Sequence, residues 1–265
     1  MTELHAVSED GRPVTALDDG SGPTLLVVPP GGGDSTPWDA VTALLAADYR
    51  VVRVNRRIYV PGAEIALPHS MATEAADVLA VAALLESPIL LVGHSSGAVA
   101  ALEAALRAPS AFAGLFLYEP PLSTRELISG EAGVRARAAL DAGDPVEAMR
   151  IHMRDIVRMP SDAVEAMFAH EGVRALFALH AAGQIADNEA IDALGVGIER
   201  YAVLDAPATL VQGDSSPDHL RLRLADLADT LPNADVVTLP SQGHTAHLTA
   251  PALLAAAIRD AAEPR

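Results

Sequence analysis

Short, unbroken apolar runs alternate with longer segments of helical periodicity through the first half of the chain. Residues 4–8 and 13–17 read as short strands, followed by the turn-forming stretch Asp18-Asp19-Gly20-Ser21-Gly22-Pro23. Residues 24–28 (TLLVV) are apolar throughout and bounded by Pro and Gly, as in a strand buried on both faces. The same reading predicts helices at 36–47, 71–86 and 98–108, and strands at 50–55, 89–92 and 114–118. Strand following helix in this order predicts a mainly parallel twisted sheet covered by helices on both faces, an α/β fold.

The alternation stops after residue 121. From about 122 to 204 the chain offers helix formers and no convincing strand, with periodic segments at 145–158 and 162–179. Strand signals return at 208–212 and 235–239, each followed by a helical segment. The expected organisation is a core of residues 1–121 and 205–265 interrupted by an all-helical lid, residues 122–204.

Composition narrows the function classes. Half of the 265 residues are hydrophobic, enough for a sizeable core. Acidic residues outnumber basic ones 35 to 18, every basic residue is Arg, and the net charge is −17. Such a chain repels phosphate backbones, so no nucleic-acid partner is expected. The absence of cysteine removes disulfides, thiolate metal sites and cysteine nucleophiles. Residues 1–12 are polar and acidic, and no apolar run reaches the length of a membrane span. The expectation is a cytoplasmic protein without a membrane partner or cofactor.

The most informative string is Gly93-His94-Ser95-Ser96-Gly97, directly after one predicted strand and before a helix. This is G-x-S-x-G in the strand–turn–helix context where a sharp turn exposes a serine hydroxyl above the sheet. Ser95 is the candidate nucleophile, and His94 is read as shaping the turn. In these residues the chain resembles the α/β-hydrolase superfamily, and the resemblance runs along nearly the whole sequence. It implies an α/β-hydrolase fold with an inserted helical cap. Pro29-Pro30-Gly31-Gly32-Gly33 stands where the family usually has His-Gly. The family pattern then assigns the oxyanion hole to the N–H groups of Gly32 and Ser96, with Gly31 or Gly33 as one-residue alternatives. Trp38 matches an aromatic common in this loop and is read as packing.

A serine hydroxyl needs a general base. The family places that base on the loop after the last strand, where Pro240-Ser241-Gln242-Gly243-His244 is found. His244 is the expected base and His247 its rival. The acid usually follows the seventh strand in a G-x-x-D pattern; Gly213-Asp214-Ser215-Ser216 puts Ser216 there and Asp214 two residues early. Some branches take the acid from the end of strand six instead, and there Leu117-Tyr118-Glu119-Pro120-Pro121 offers Glu119. This placement resembles the zearalenone-type lactonases. Glu119 is the expected acid, with Asp214 the alternative.

The resemblance implies a serine hydrolase acting on a small-molecule carboxylic ester or lactone through an acyl-enzyme. Haloalkane dehalogenases and epoxide hydrolases of this fold carry Asp in place of the serine. The alternative is a non-hydrolytic, ligand-binding or cyclase-like member, with Ser216 at the usual acid position as its footing. Met149, Met153, Met159, Met167, Phe168 and Phe177 are candidates for an apolar pocket, or for packing within the lid. Arg56-Arg57 sits where this topology faces the mouth, to form ion pairs or to meet an acidic group. His152 and Asp155, three apart, read as a solvated helix face rather than a metal pair.

Overall fold

The computed structural model describes residues 1–62 and 65–263. Among these, eight strands form one sheet: β1 (Thr2–Val7), β2 (Pro13–Gly20), β3 (Thr24–Val28), β4 (Arg50–Asn55), β5 (Ile89–His94), β6 (Gly114–Tyr118), β7 (Ala208–Gly213) and β8 (Ala234–Leu239). Their spatial order is β1-β2-β4-β3-β5-β6-β7-β8. The first two strands join antiparallel, and all pairings from β4 onward along that order are parallel. The α-helices among the described residues are α1 (Asp39–Leu45), α2 (Met71–Ala82), α3 (Ser96–Arg107), α4 (Gly130–Asp141), α5 (Pro145–Ile151), α6 (Ser161–Phe168), α7 (Glu171–Asp192), α8 (Asp218–Thr230), α9 (Ala246–Thr249) and α10 (Pro251–Ala262).

Side chains on a strand alternate between faces, and the core divides accordingly. Leu26, Val28, Leu91, Leu115 and Leu117 pack with residues of α2, α3 and α8 on one face. Leu25, Val27, Val92, Phe116 and Val211 pack with α1 and α10 on the other. The central strands are buried along their whole length, which is why they read as unbroken apolar runs.

Helices α4 to α7 lie between β6 and β7, where the lid is expected. Their details differ from the periodicity. The predicted helix at 162–179 is two helices, α6 and the 22-residue α7, separated by Ala169 and an extended His170. Helix formers run straight through that break, so propensity leaves no mark of it. The segment at 145–158 is α5 continued by a π-helical turn, His152–Ile156. The helix expected at 36–47 is a 3₁₀ turn (Thr36–Trp38) followed by α1, and α2 ends at Ala82 rather than 86.

The Met and Phe residues offered as pocket walls mostly pack against one another. Met149 and Phe168 are buried with Val164 and Ala181, and Met153, Met159, Met167 and Phe177 close around them. They form a core for the inserted helices. His152 is likewise buried rather than solvated, its Nδ1 accepting from Asn188 Nδ2 at 2.9 Å. Asp155 pairs with Arg154 and Arg135 instead.

Candidate active site

The turn between β5 and α3 carries Ser95 with φ 54° and ψ −129°, a conformation that an L-residue adopts only under constraint. The constraint is close packing. A Cβ on Gly93 would lie 2.4 Å from Ala98 Cα, and one on Gly97 would lie 2.3 Å from the carbonyl oxygens of both Val28 and Pro29. Those neighbours are backbone and cannot step aside. Gly97→Ala is therefore expected to cost about 3 kcal/mol or more, measured by denaturant unfolding. The Ser95 N–H donates to the Tyr118 carbonyl at 2.8 Å, fixing the turn to β6.

Glu119 leaves β6 in the left-handed region, φ 45°, and its side chain is fully buried. An unpaired buried carboxylate is costly, and both oxygens here are taken. Oε1 accepts from the Gly213 N–H at 2.8 Å, and Oε2 accepts from His244 Nδ1 at 2.6 Å. A carboxylate acceptor at this distance fits the His244 tautomer with its proton on Nδ1 and its lone pair on Nε2. The His244 loop reaches this position because Gly213 lets it approach: a Cβ there would stand 2.1 Å from the Gln242 carbonyl oxygen.

Rings buttress the same loop from behind. His94 Nε2 donates to the His244 carbonyl at 3.0 Å, and the His94 ring stacks on Tyr118 at 4.5 Å. Tyr118 donates its hydroxyl to the Gly243 carbonyl. His247 meets the edge of His94 at 4.7 Å and stacks on Trp38 at 6.0 Å. Trp38 is thus packing, and His94 and Tyr118 are supports that the sequence motif alone does not single out as such.

The alternatives occupy other surroundings. Asp214 is exposed and accepts from Ser215 Oγ; the Ser241 and Gln242 amides, with that hydroxyl, hold its carboxyl below the usual range. Ser216, at the usual acid position, is buried, and its hydroxyl meets no partner among the described residues. The rival base His247 is buried, and its Nδ1 meets no partner among the described residues. Burial, and then the charge of His244, pull its pKa down to about 4. His219, at the start of α8, was not singled out by its sequence context. Burial and the charges of Arg158 and Arg223 hold it at about 4, and it senses His244 and Glu119 as well.

These neutral histidines give the fold a pH dependence. Burial, reinforced by His247 and His244, holds His94 well below the usual imidazole value of 6.5. His152 falls to about 4 through burial. The unfolded chain takes up these protons first, so stability falls as pH drops from about 6.5 toward 4, by up to about 1.4 kcal/mol per pH unit for each group. The melting temperature is expected to be lower at pH 5 than at pH 7, with a shallower dependence in His247→Phe.

The glycine loop after β3 supplies Gly32 with φ 88°. Among the described residues, no acceptor is hydrogen-bonded to the N–H of Gly32 or Ser96. Arg56 follows the ion-pair expectation, and from a buried position. Its side chain is 2% exposed and paired with Glu74 and Asp187, while Arg57 pairs with Asp77 and Asp10. No group of three or more His, Asp or Glu among the described residues is arranged to hold a metal ion. No described helix is long and apolar enough to cross a membrane.

A family model described as the alpha/beta hydrolase family matches residues 25–257. No curated protein matches the sequence. Among solved structures, an alpha/beta hydrolase from Sphaerobacter thermophilus is similar with a TM-score of 0.84 at 26% identity, over 97% of this chain and 99% of that one. The esterase RhEst1 from a Rhodococcus species gives 0.74 at 21% identity, over 98% of each chain. A thermophilic esterase from Thermogutta terrifontis gives 0.72 at 21% identity, over 98% of this chain and 97% of that one.

Proposed function

The chain belongs to the alpha/beta hydrolase family, and from that premise we propose that it is a serine hydrolase cleaving a small carboxylic ester or lactone. Ser95 is the nucleophile, His244 the general base and Glu119 the acid that orients it. The observation carrying this reading is the 2.6 Å bond between His244 Nδ1 and a fully buried Glu119, the residue after Tyr118, whose carbonyl accepts from the N–H of Ser95 in its strained turn.

The reaction follows from these roles. His244 Nε2 takes the Ser95 proton as Oγ attacks the acyl carbon, and the imidazolium is stabilised by Glu119. The N–H groups of Gly32 and Ser96 receive the developing oxyanion. His244 then returns its proton to the leaving alkoxide, and water resolves the acyl-enzyme by the same steps. For a lactone the alkoxide stays attached to the acyl group, and the product is a hydroxy acid. Residues 122–204 serve as the lid over a core of residues 1–121 and 205–265.

A panel of acyl esters and of lactones of varied ring size, followed by acid release, tests the reading. Turnover of at least one member, lost in Ser95→Ala, is expected. Turnover that persists in Ser95→Ala contradicts it.

A further inference from the structure

Arg56 directly follows β4, and its guanidinium is spread over three different elements. Nε donates to Glu74 Oε2 on α2 at 2.8 Å, and one terminal nitrogen donates to Asp187 Oδ1 on α7 at 2.7 Å. The other donates to Ser96 Oγ at 2.7 Å, on the residue immediately after Ser95. Asp187 is completely buried, and its Oδ2 accepts from the Tyr59 hydroxyl at 2.7 Å. His69 Nε2 donates to the remaining Glu74 oxygen at 2.9 Å. Burial opposes the guanidinium charge, but Asp187 and Glu74 outweigh it and hold Arg56 firmly protonated.

The glycine loop leans on the same cluster. A Cβ on Gly31 would lie 2.6 Å from the Tyr59 hydroxyl, 2.7 Å from Gln184 Oε1 and 3.1 Å from Asp187 Oδ2. A side chain at position 31 would have to displace these buried polar groups. The two segments that flank Ser95, the first turn of α3 and the loop after β3, therefore meet one ionic cluster that also includes α7 of the inserted helices.

Stability alone accounts poorly for such a cluster. Buried ion pairs are commonly replaceable by apolar residues without loss, because desolvation offsets their attraction. What a planar guanidinium adds is geometry, since its donors point in fixed directions. We propose that Arg56 is a positioning residue for the oxyanion hole. It holds Ser96 through the hydroxyl, so that the Ser96 N–H faces the reacting carbonyl, and Asp187 with Tyr59 ties the seating of α7 to that geometry. The proposal rests on the serine-hydrolase reading. It assigns Arg56 no contact with substrate.

The test compares Ser96→Ala, Arg56→Lys and the double variant, with kcat expressed per active site titrated by a fluorophosphonate. Ser96→Ala keeps the N–H and removes only the hydroxyl, so it reports even where Arg56→Lys fails to fold. Each single change is expected to lower kcat by about 10- to 100-fold with KM nearly constant, as for a small misplacement of the reacting groups. The double change is expected to be no worse than the poorer single one, because both act through one bond. A lowered melting temperature with wild-type kcat per titrated site overturns the proposal and leaves the cluster a packing device. Turnover surviving in Ser95→Ala overturns instead the reading on which the proposal stands.

Discussion

Ser95→Ala and His244→Ala should each lower kcat by about 10³- to 10⁶-fold, and the double variant should lose little more, because triad members act as a unit. The reason lies in the shared proton. Without His244, the Ser95 hydroxyl has no base, and without Ser95 the imidazole has nothing to activate. KM should change far less, since neither side chain is needed to bind the ester. Steady-state kinetics on the best substrate of the panel measures both constants. Additive losses in the double variant would mean that the two residues do not serve one step.

Glu119→Gln should cost about 10³- to 10⁴-fold in kcat while Asp214→Asn stays close to wild type. The asymmetry follows from the partners of each carboxylate. Gly213 donates its N–H to Glu119 Oε1, so the amide oxygen of a glutamine is needed there. The amide nitrogen then faces His244 Nδ1, where Glu119 Oε2 now accepts. A donor in that position selects the tautomer with its proton on Nε2, which cannot take the proton of Ser95. Asp214 is exposed, and its partners are Ser215 and the amides of Ser241 and Gln242. The opposite ranking, an inactive Asp214→Asn beside an active Glu119→Gln, would reassign the acid.

The parts of this molecule legible in sequence are those where one local rule dominates. The central strands could be read because burial on both faces leaves them apolar, as in GLFLY at 114–118. The tight turn around Ser95 could be read because Gly93 and Gly97 are demanded by backbone atoms 2.3–2.4 Å from where a Cβ would stand. The bond between Glu119 and His244 spans 125 positions, and only the place of Glu119 at the end of β6 pointed to that carboxylate. The break between α6 and α7 was hidden because helix formers occupy both sides of it. The ion pairs expected of Arg56 are present, with Glu74 and Asp187, but their burial was hidden for a related reason: nothing local announces Asp187, 131 positions away.

The proposed reaction stands or falls with Ser95 as an activated nucleophile. Labelling the purified protein with a fluorophosphonate, and locating the adduct by peptide mass spectrometry, tests it most directly. One adduct per chain is expected, on Ser95, absent from Ser95→Ala and strongly slowed in His244→Ala. A folded protein that takes no label, or one labelled elsewhere and unaffected by these changes, would contradict it and favour a member of the family that binds its ligand without hydrolysing it.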